Sequence, residues 1–221
     1  MKAIVSISAI AAIAGAANAQ QSFELGNGSL DEGFQVTDNS APFFMNAQGN
    51  DPSDGQPDQF SEFYVMRFDL TGYTGADVAS AEIDLLHSEP SFASSGGVSH
   101  TYSTDDSTDL SSLSFDGNTI GGLGSQLSPA ANVANFDFIA GNDGVTDTFS
   151  LSDSGGFFSD IEGQGTVTLV LQATDISTTA TYTGIDNFDG GPVLRITVVP
   201  GPGAATLAGI AGLVGLRRRR A

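Results

Sequence analysis

The chain has no cysteine and no tryptophan, only two histidines, and seven lysines and arginines against 26 aspartates and glutamates in 221 residues. Without cysteine there is no disulfide staple, no thiol nucleophile and no thiolate metal site, so stability must come from core burial, helped at most by an oxygen-liganded cation. Without tryptophan there is no indole platform for stacking flat ligands. Five of the seven cationic residues, Lys2 and Arg217, Arg218, Arg219 and Arg220, sit at the termini. Only Arg67 and Arg195 remain between them, beside all 26 acidic residues, a formal balance near −24. A surface of that sign repels nucleic acid and anionic lipid and attracts divalent cations. It also stays soluble in salt, where self-repulsion is screened within about 8 Å. A nucleic-acid partner is not expected.

Long apolar runs are also missing. The longest, residues 204–216, has about 13 residues, short of the roughly 20 that a bilayer core requires. Its context is informative. Val199-Pro200-Gly201-Pro202-Gly203 precedes it, and the four arginines follow it one residue from the end. A proline-glycine hinge, a marginal apolar helix and a basic cluster that stays on the cytoplasmic side form a topology signal. At the other end Lys2 gives a positive n-region and residues 3–15 are small and apolar. Ala17-Asn18-Ala19 then offers an A-x-A cleavage site before Gln20, the pattern of a secretory signal peptide. Both ends point to export of the segment between them.

The last 22 or so residues resemble the PEP-CTERM sorting domain of Gram-negative bacteria, with Gly201 where that family usually has glutamate. The resemblance implies a transient membrane anchor through the C-terminal helix and processing by an exosortase-like sorting protease. The final location would be the cell surface or extracellular matrix. The expected division is a signal peptide at 1–19, one folded domain at 20–198 and a sorting segment at 199–221.

Between the signals the pattern has period 2, broken by Gly, Ser, Asn and Asp clusters. Residues 63–70, 79–86, 166–172 and 193–198 alternate as strands with one buried face. Shorter candidates are 23–25, 33–37, 98–102, 136–139 and 148–151, and 157–161 is long enough for one helical turn. Residues 46–59 and 103–114 read as polar, acidic loops, and 117–124 is glycine-rich. No internal repeat appears, which argues against a solenoid or propeller. Many short strands with Ser and Thr on outer faces predict an all-β fold, a single antiparallel β-sandwich. Arg67-Phe68-Asp69-Leu70, the run 79–85 (ASAEIDL) and Gly191-Pro192-Val193-Leu194-Arg195-Ile196 resemble strands of DNRLRE-type and galactose-binding-like jelly rolls. The resemblance implies a jelly-roll-like sandwich. The chain lacks that family's Arg-Leu-Arg-Glu signature and its tryptophan, so no binding residue is carried over.

Candidate chemistry is sparse. His87 and His100 fall near strand ends and could face each other across a hairpin, but a zinc or copper site needs further ligands. No G-x-S-x-G context occurs, and carboxylate pairs are too numerous to single one out. Calcium is the better match for oxygen-rich loops. The clusters are Asp51, Asp54 and Asp58; Asp105, Asp106 and Asp109; and Asp186, Asn187 and Asp189, none with EF-hand spacing. Asp105, Asp106 and Asp109 form the leading candidate for a structural Ca²⁺ ion, with solvated acidic loops as the simpler reading.

No catalytic residue is assigned, and an enzyme is not expected. The favoured function is an exported structural or interaction protein of the cell surface or extracellular matrix. The alternative is a secreted carbohydrate- or polymer-binding module, with an extracellular polysaccharide as partner. Exposed Tyr and Phe at one sheet face or loop end would favour the alternative. A pocket with converging carboxylates would favour an enzyme.

Overall fold

Alternation of large apolar with polar residues sets the strands, and their pairing sets the layers. The computed structural model describes residues 21–25, 30–36, 44–70, 73, 77–88, 91–128, 130–163, 166–184 and 190–199. The signal-cleavage residues Ala17, Ala19 and Gln20, the tail from Pro200 through Arg220, and Asp186, Asn187 and Asp189 lie outside the described residues. Among the described residues eleven strands run in chain order. They are β1 (Gln21–Leu25), β2 (Leu30–Val36), β3 (Phe44–Gln48), β4 (Phe63–Asp69), β5 (Asp77–Leu86), β6 (Gly96–Ser103), β7 (Ala130–Phe138), β8 (Thr146–Leu151), β9 (Thr166–Ala173), β10 (Thr179–Thr183) and β11 (Val193–Val199). A 3-10 turn spans Leu110–Ser112, and one α-helix, α1, spans Phe157–Gly163.

Every strand pairing among the described residues is antiparallel. One sheet has the order β1-β11-β5-β8, a second β2-β4-β9-β6-β7, and a two-stranded ribbon joins β10 to β3. The fold is thus mostly β, a sandwich of antiparallel sheets with one helix among the described residues. Tyr64, Met66 and Phe68 of β4 and Leu169 and Leu171 of β9 meet Ile83 and Leu85 of β5 and Leu194 and Ile196 of β11 in the main core. Helix α1 adds Phe157 and Ile161 to this core, and the Glu162 carboxylate accepts the Val78 N–H at 2.7 Å, which ties α1 to β5.

The four principal strands form where the period-2 pattern places them. The expected single buried face holds for β11, whose burial alternates, but not for β4 or β9, which are buried on both faces. The cause is the segment 104–128. Leu110, Phe115, Leu123 and Leu127 lie over Val36, Phe63, Val65 and Val170 and build a second core on the outer face of the five-stranded sheet. A polar, acidic stretch therefore contains a hydrophobic clamp, because the four apolar residues that build it are spaced too irregularly to show a period. Two strands also lay beyond the sequence reading. β3 ends inside the segment assigned to a loop at 46–59, and β10 (TATYT) is built from Thr and Tyr, which suit a pleated surface.

Among the described residues no helix is long and apolar enough to cross a membrane.

Candidate functional site

A cleft of about 440 Å³ is lined by Asn46, Gln48, Phe60, Glu62, Phe92 and Thr179. Period 2 makes its floor. In β3, Met45 and Ala47 are fully buried in the core, so Asn46 and Gln48 take the opposite face. Gln48 pairs with Thr179 and Asn46 with Thr181 across the ribbon, so amides and hydroxyls stand side by side on that face. Glu62 joins through an isolated bridge to Gln48, whose N–H donates to the Glu62 carbonyl at 2.9 Å. The Glu62 side chain is in a buried residue, 6% exposed.

Two phenylalanines wall the cleft. Phe60 is 56% and Phe92 59% exposed. Phe60 has φ of +75°, and among the described residues no other non-glycine residue has a positive φ. A bulky residue there costs roughly 1–3 kcal/mol and persists only where its surroundings fix it. The surroundings do so. Asn50, fully buried, donates from Nδ2 to the Gly117 carbonyl at 2.8 Å and accepts the Asp58 N–H at 2.7 Å. The Asp58 carboxylate in turn accepts the Asp51 N–H, and the Asp58 carbonyl accepts the Ser61 N–H. The loop is closed from behind, and Phe60 is held outward. Ser94 exchanges two backbone hydrogen bonds with Thr179, both 3.0 Å, and this positions Phe92 two residues upstream.

Among the described residues no cation lines this cleft. Arg195 pairs with Asp84 at 2.6 Å, and Arg67 donates to the Thr168 hydroxyl and the Thr108 carbonyl.

The histidines occupy separate aromatic pockets. His87 bonds through Nε2 to Asp147 and lies between Phe138, stacked at 4.8 Å, and Tyr182, edge-on at 4.9 Å. His100 is fully buried among Phe136 and Phe149, and neither ring nitrogen has a hydrogen-bond partner. Burial pushes its pKa down to about 3. His100 thus serves as a packing element and His87 as a carboxylate partner within an aromatic pocket, and no group of three or more His, Asp or Glu side chains arranged to hold a metal occurs among the described residues.

The acidic loops are engaged in turns. The Asp105 carboxylate accepts from the N–H and hydroxyl groups of Ser107 and Thr108. Asp109 caps the 3-10 turn through the Ser111 N–H and hydroxyl, and Asp106 accepts the Thr168 hydroxyl at 2.9 Å. The Thr108 contacts hold Asp105 below the usual carboxylate range, whereas burial raises Asp106. Asp51 and Asp54 likewise cap turns by accepting the Ser53 and Gln56 N–H groups. Thus Asp105, Asp106 and Asp109 sit near one another but turn their oxygens to neighbouring donors. A second acidic focus lies behind them, where the Tyr102 hydroxyl donates to Asp160, a buried residue of α1. Val199, the one sorting-motif residue described, closes β11 and is 44% exposed.

None of the cleft residues was marked by the sequence reading. Their elements are short, and the strained Phe60 carries no sequence signal beyond its Gln-Phe-Ser context.

No family model matches the chain, and no curated protein matches it. Among solved structures, a chain in the cryo-EM structure of Mud crab tombus-like virus is similar at 11% identity, covering 82% of this chain and 90% of that chain with a TM-score of 0.27. A likeness that low carries no functional argument.

Proposed function

We propose that this chain is an exported protein of the cell surface or extracellular matrix, in which a jelly-roll-like sandwich acts as an interaction module. In this reading residues 1–19 direct export, residues 204–216 anchor the chain transiently in the membrane, and an exosortase-like protease acts near Val199, Pro200, Gly201 and Pro202. The observation that carries it is the paired signals at the two termini flanking an acidic domain without cysteine.

The test is localisation. Deleting Arg217, Arg218, Arg219 and Arg220 should release the protein from the cell envelope or leave it unsorted. Unchanged localisation after the deletion would remove the sorting reading.

A secreted carbohydrate- or polymer-binding module is the second reading. One observation favours it: Phe60 and Phe92 stand exposed in the lining of a cleft that also carries amides and hydroxyls.

A further inference from the structure

We infer that the Phe60–Phe92 cleft binds a short segment of an uncharged polysaccharide, its rings held against the two phenylalanines and its hydroxyls met by Gln48, Asn46 and Thr179. The inference rests on the polymer-binding reading above and deepens it by naming the site and the ligand class.

Four observations converge on this chemistry. The volume, about 440 Å³, falls in the range of roughly 300–1,000 Å³ typical of small-ligand sites. The walls are aromatic faces and the floor is a row of neutral donors and acceptors, the combination that suits a ring with apolar C–H faces and a polar rim. The Thr181 hydroxyl lies next along the same face of β10, opposite Asn46. It is buried without a hydrogen-bond partner, so the polar row that continues from the cleft is not fully satisfied within the fold. Finally, Phe60 is held outward at a strained φ by the Asn50–Asp58 network, where a relaxed loop would need no such hold.

Charge decides the class. Among the described residues Glu62 is the one ionisable lining residue, and both arginines of the domain are engaged elsewhere. A uronate or sulfated polymer would bring anions to a carboxylate within a domain of formal charge near −24. A neutral chain meets no such penalty.

The experiment is native affinity electrophoresis of the full chain, solubilised in neutral detergent. Separate gels contain dextran, galactomannan or xyloglucan, with alginate as the anionic and chitosan as the cationic comparator. Each is run at roughly 0.1 and 1 M NaCl, between which the Debye length falls from about 10 Å to about 3 Å. We expect retardation by at least one neutral polymer, unchanged by salt, and any chitosan retardation lost at high salt. Phe60→Ala and Phe92→Ala should each weaken neutral-polymer retardation about tenfold or more. Phe60→Gly, which suits the positive φ, and Gln48→Ala supply further variants, each confirmed as folded by its melting curve. Retardation by none of the neutral polymers, equal retardation by alginate, or folded Phe60 and Phe92 variants that bind as the parent would overturn the inference. Export and surface retention are scored separately in cells. A chain that reaches the surface but binds no neutral polymer sinks this inference alone, and one that binds but is not exported sinks the localisation reading alone.

Discussion

Phe63 of β4 and Phe115 of the covering segment pack with ring centroids 6.1 Å apart and planes tilted by 41°. The pair fastens the 104–128 segment to the outer face of the five-stranded sheet, together with Leu110, Leu123 and Leu127. Phe115 is 6% exposed and the three leucines less, so this loop is a second core and not a solvated connection.

Truncating that contact should therefore cost as much as a core mutation. Phe115→Ala is expected to lose about 3–5 kcal/mol, a large share of a typical 5–15 kcal/mol. Urea denaturation measures it, and amide exchange should quicken across 104–128 before the sandwich opens. A loss under about 0.5 kcal/mol would mean the segment is a surface loop.

Gly122 completes the same clamp. Its φ is +78°, and a Cβ there would lie 2.1 Å from Cε2 of Phe115. Gly122→Ala is expected to destabilise by roughly 1–3 kcal/mol through backbone strain and displacement of the ring. Combined with Phe115→Leu the cost should be less than the sum of the two, since the smaller side chain yields space. Additive costs in denaturation would show that ring and glycine act independently.

His100 gives the domain an acid sensitivity. Its folded pKa is about 3, against about 6.5 for an unfolded histidine. Between those values the unfolded state binds the extra proton. The stability is therefore fully present above pH ~6.5 and falls toward pH ~3, by up to about 1.4 kcal/mol per pH unit for one group. Asp175 adds a further loss at lower pH. Burial alone would raise it, but the Gly97 N–H at 2.6 Å and the donors of Ser177 and Thr178 hold it below the usual range. Its stability is present above the unfolded carboxylate pKa and is lost as pH falls through the folded one. Melting temperatures from pH 7 to pH 4 are the measurement. His100→Leu should flatten the slope between about pH 6.5 and 4, and an unchanged slope would assign the sensitivity elsewhere.

Phe60 should cost stability. Because it is 56% exposed and at φ +75°, Phe60→Gly removes little burial and relieves the backbone. The variant is expected to be as stable as the parent or up to about 1 kcal/mol more stable, while Phe60→Ala gains less. Thermal melts of the two variants side by side read the difference. A Phe60→Gly variant that melts well below the parent would mean the ring packs the loop.

The sequence alone determined the main strands and which of their residues share a face. Period-2 runs at Tyr64, Met66, Phe68 and Leu70, and at Leu194, Ile196 and Val198, commit those residues to one face, because adjacent side chains in a strand must point oppositely. The same sequence fixed the charge balance, since 26 carboxylates against Arg67 and Arg195 need no coordinates to count. It also placed the helical turn at Phe157, where the structure extends it to Gly163.

Only the tertiary structure decided where the other faces went. Whether Phe63 and Val65 meet water or Phe115 depends on a segment more than 40 residues away, and no local period encodes that contact. The cleft is non-local in the same way. Gln48, Glu62, Phe92 and Thr179 come from four separate stretches of chain, joined by the Gln48–Thr179 register and the Ser94–Thr179 bridge. Acidic clusters carried the opposite ambiguity. Asp105 and Asp109 look alike as ligands or as turn caps in sequence, and it is the fold that brings the donors of Ser107, Thr108 and Ser111 to their oxygens. Backbone alternation is a one-dimensional property and is written in the chain, whereas pairing across sheets is chosen by packing and hydrogen bonds that form only when distant segments meet.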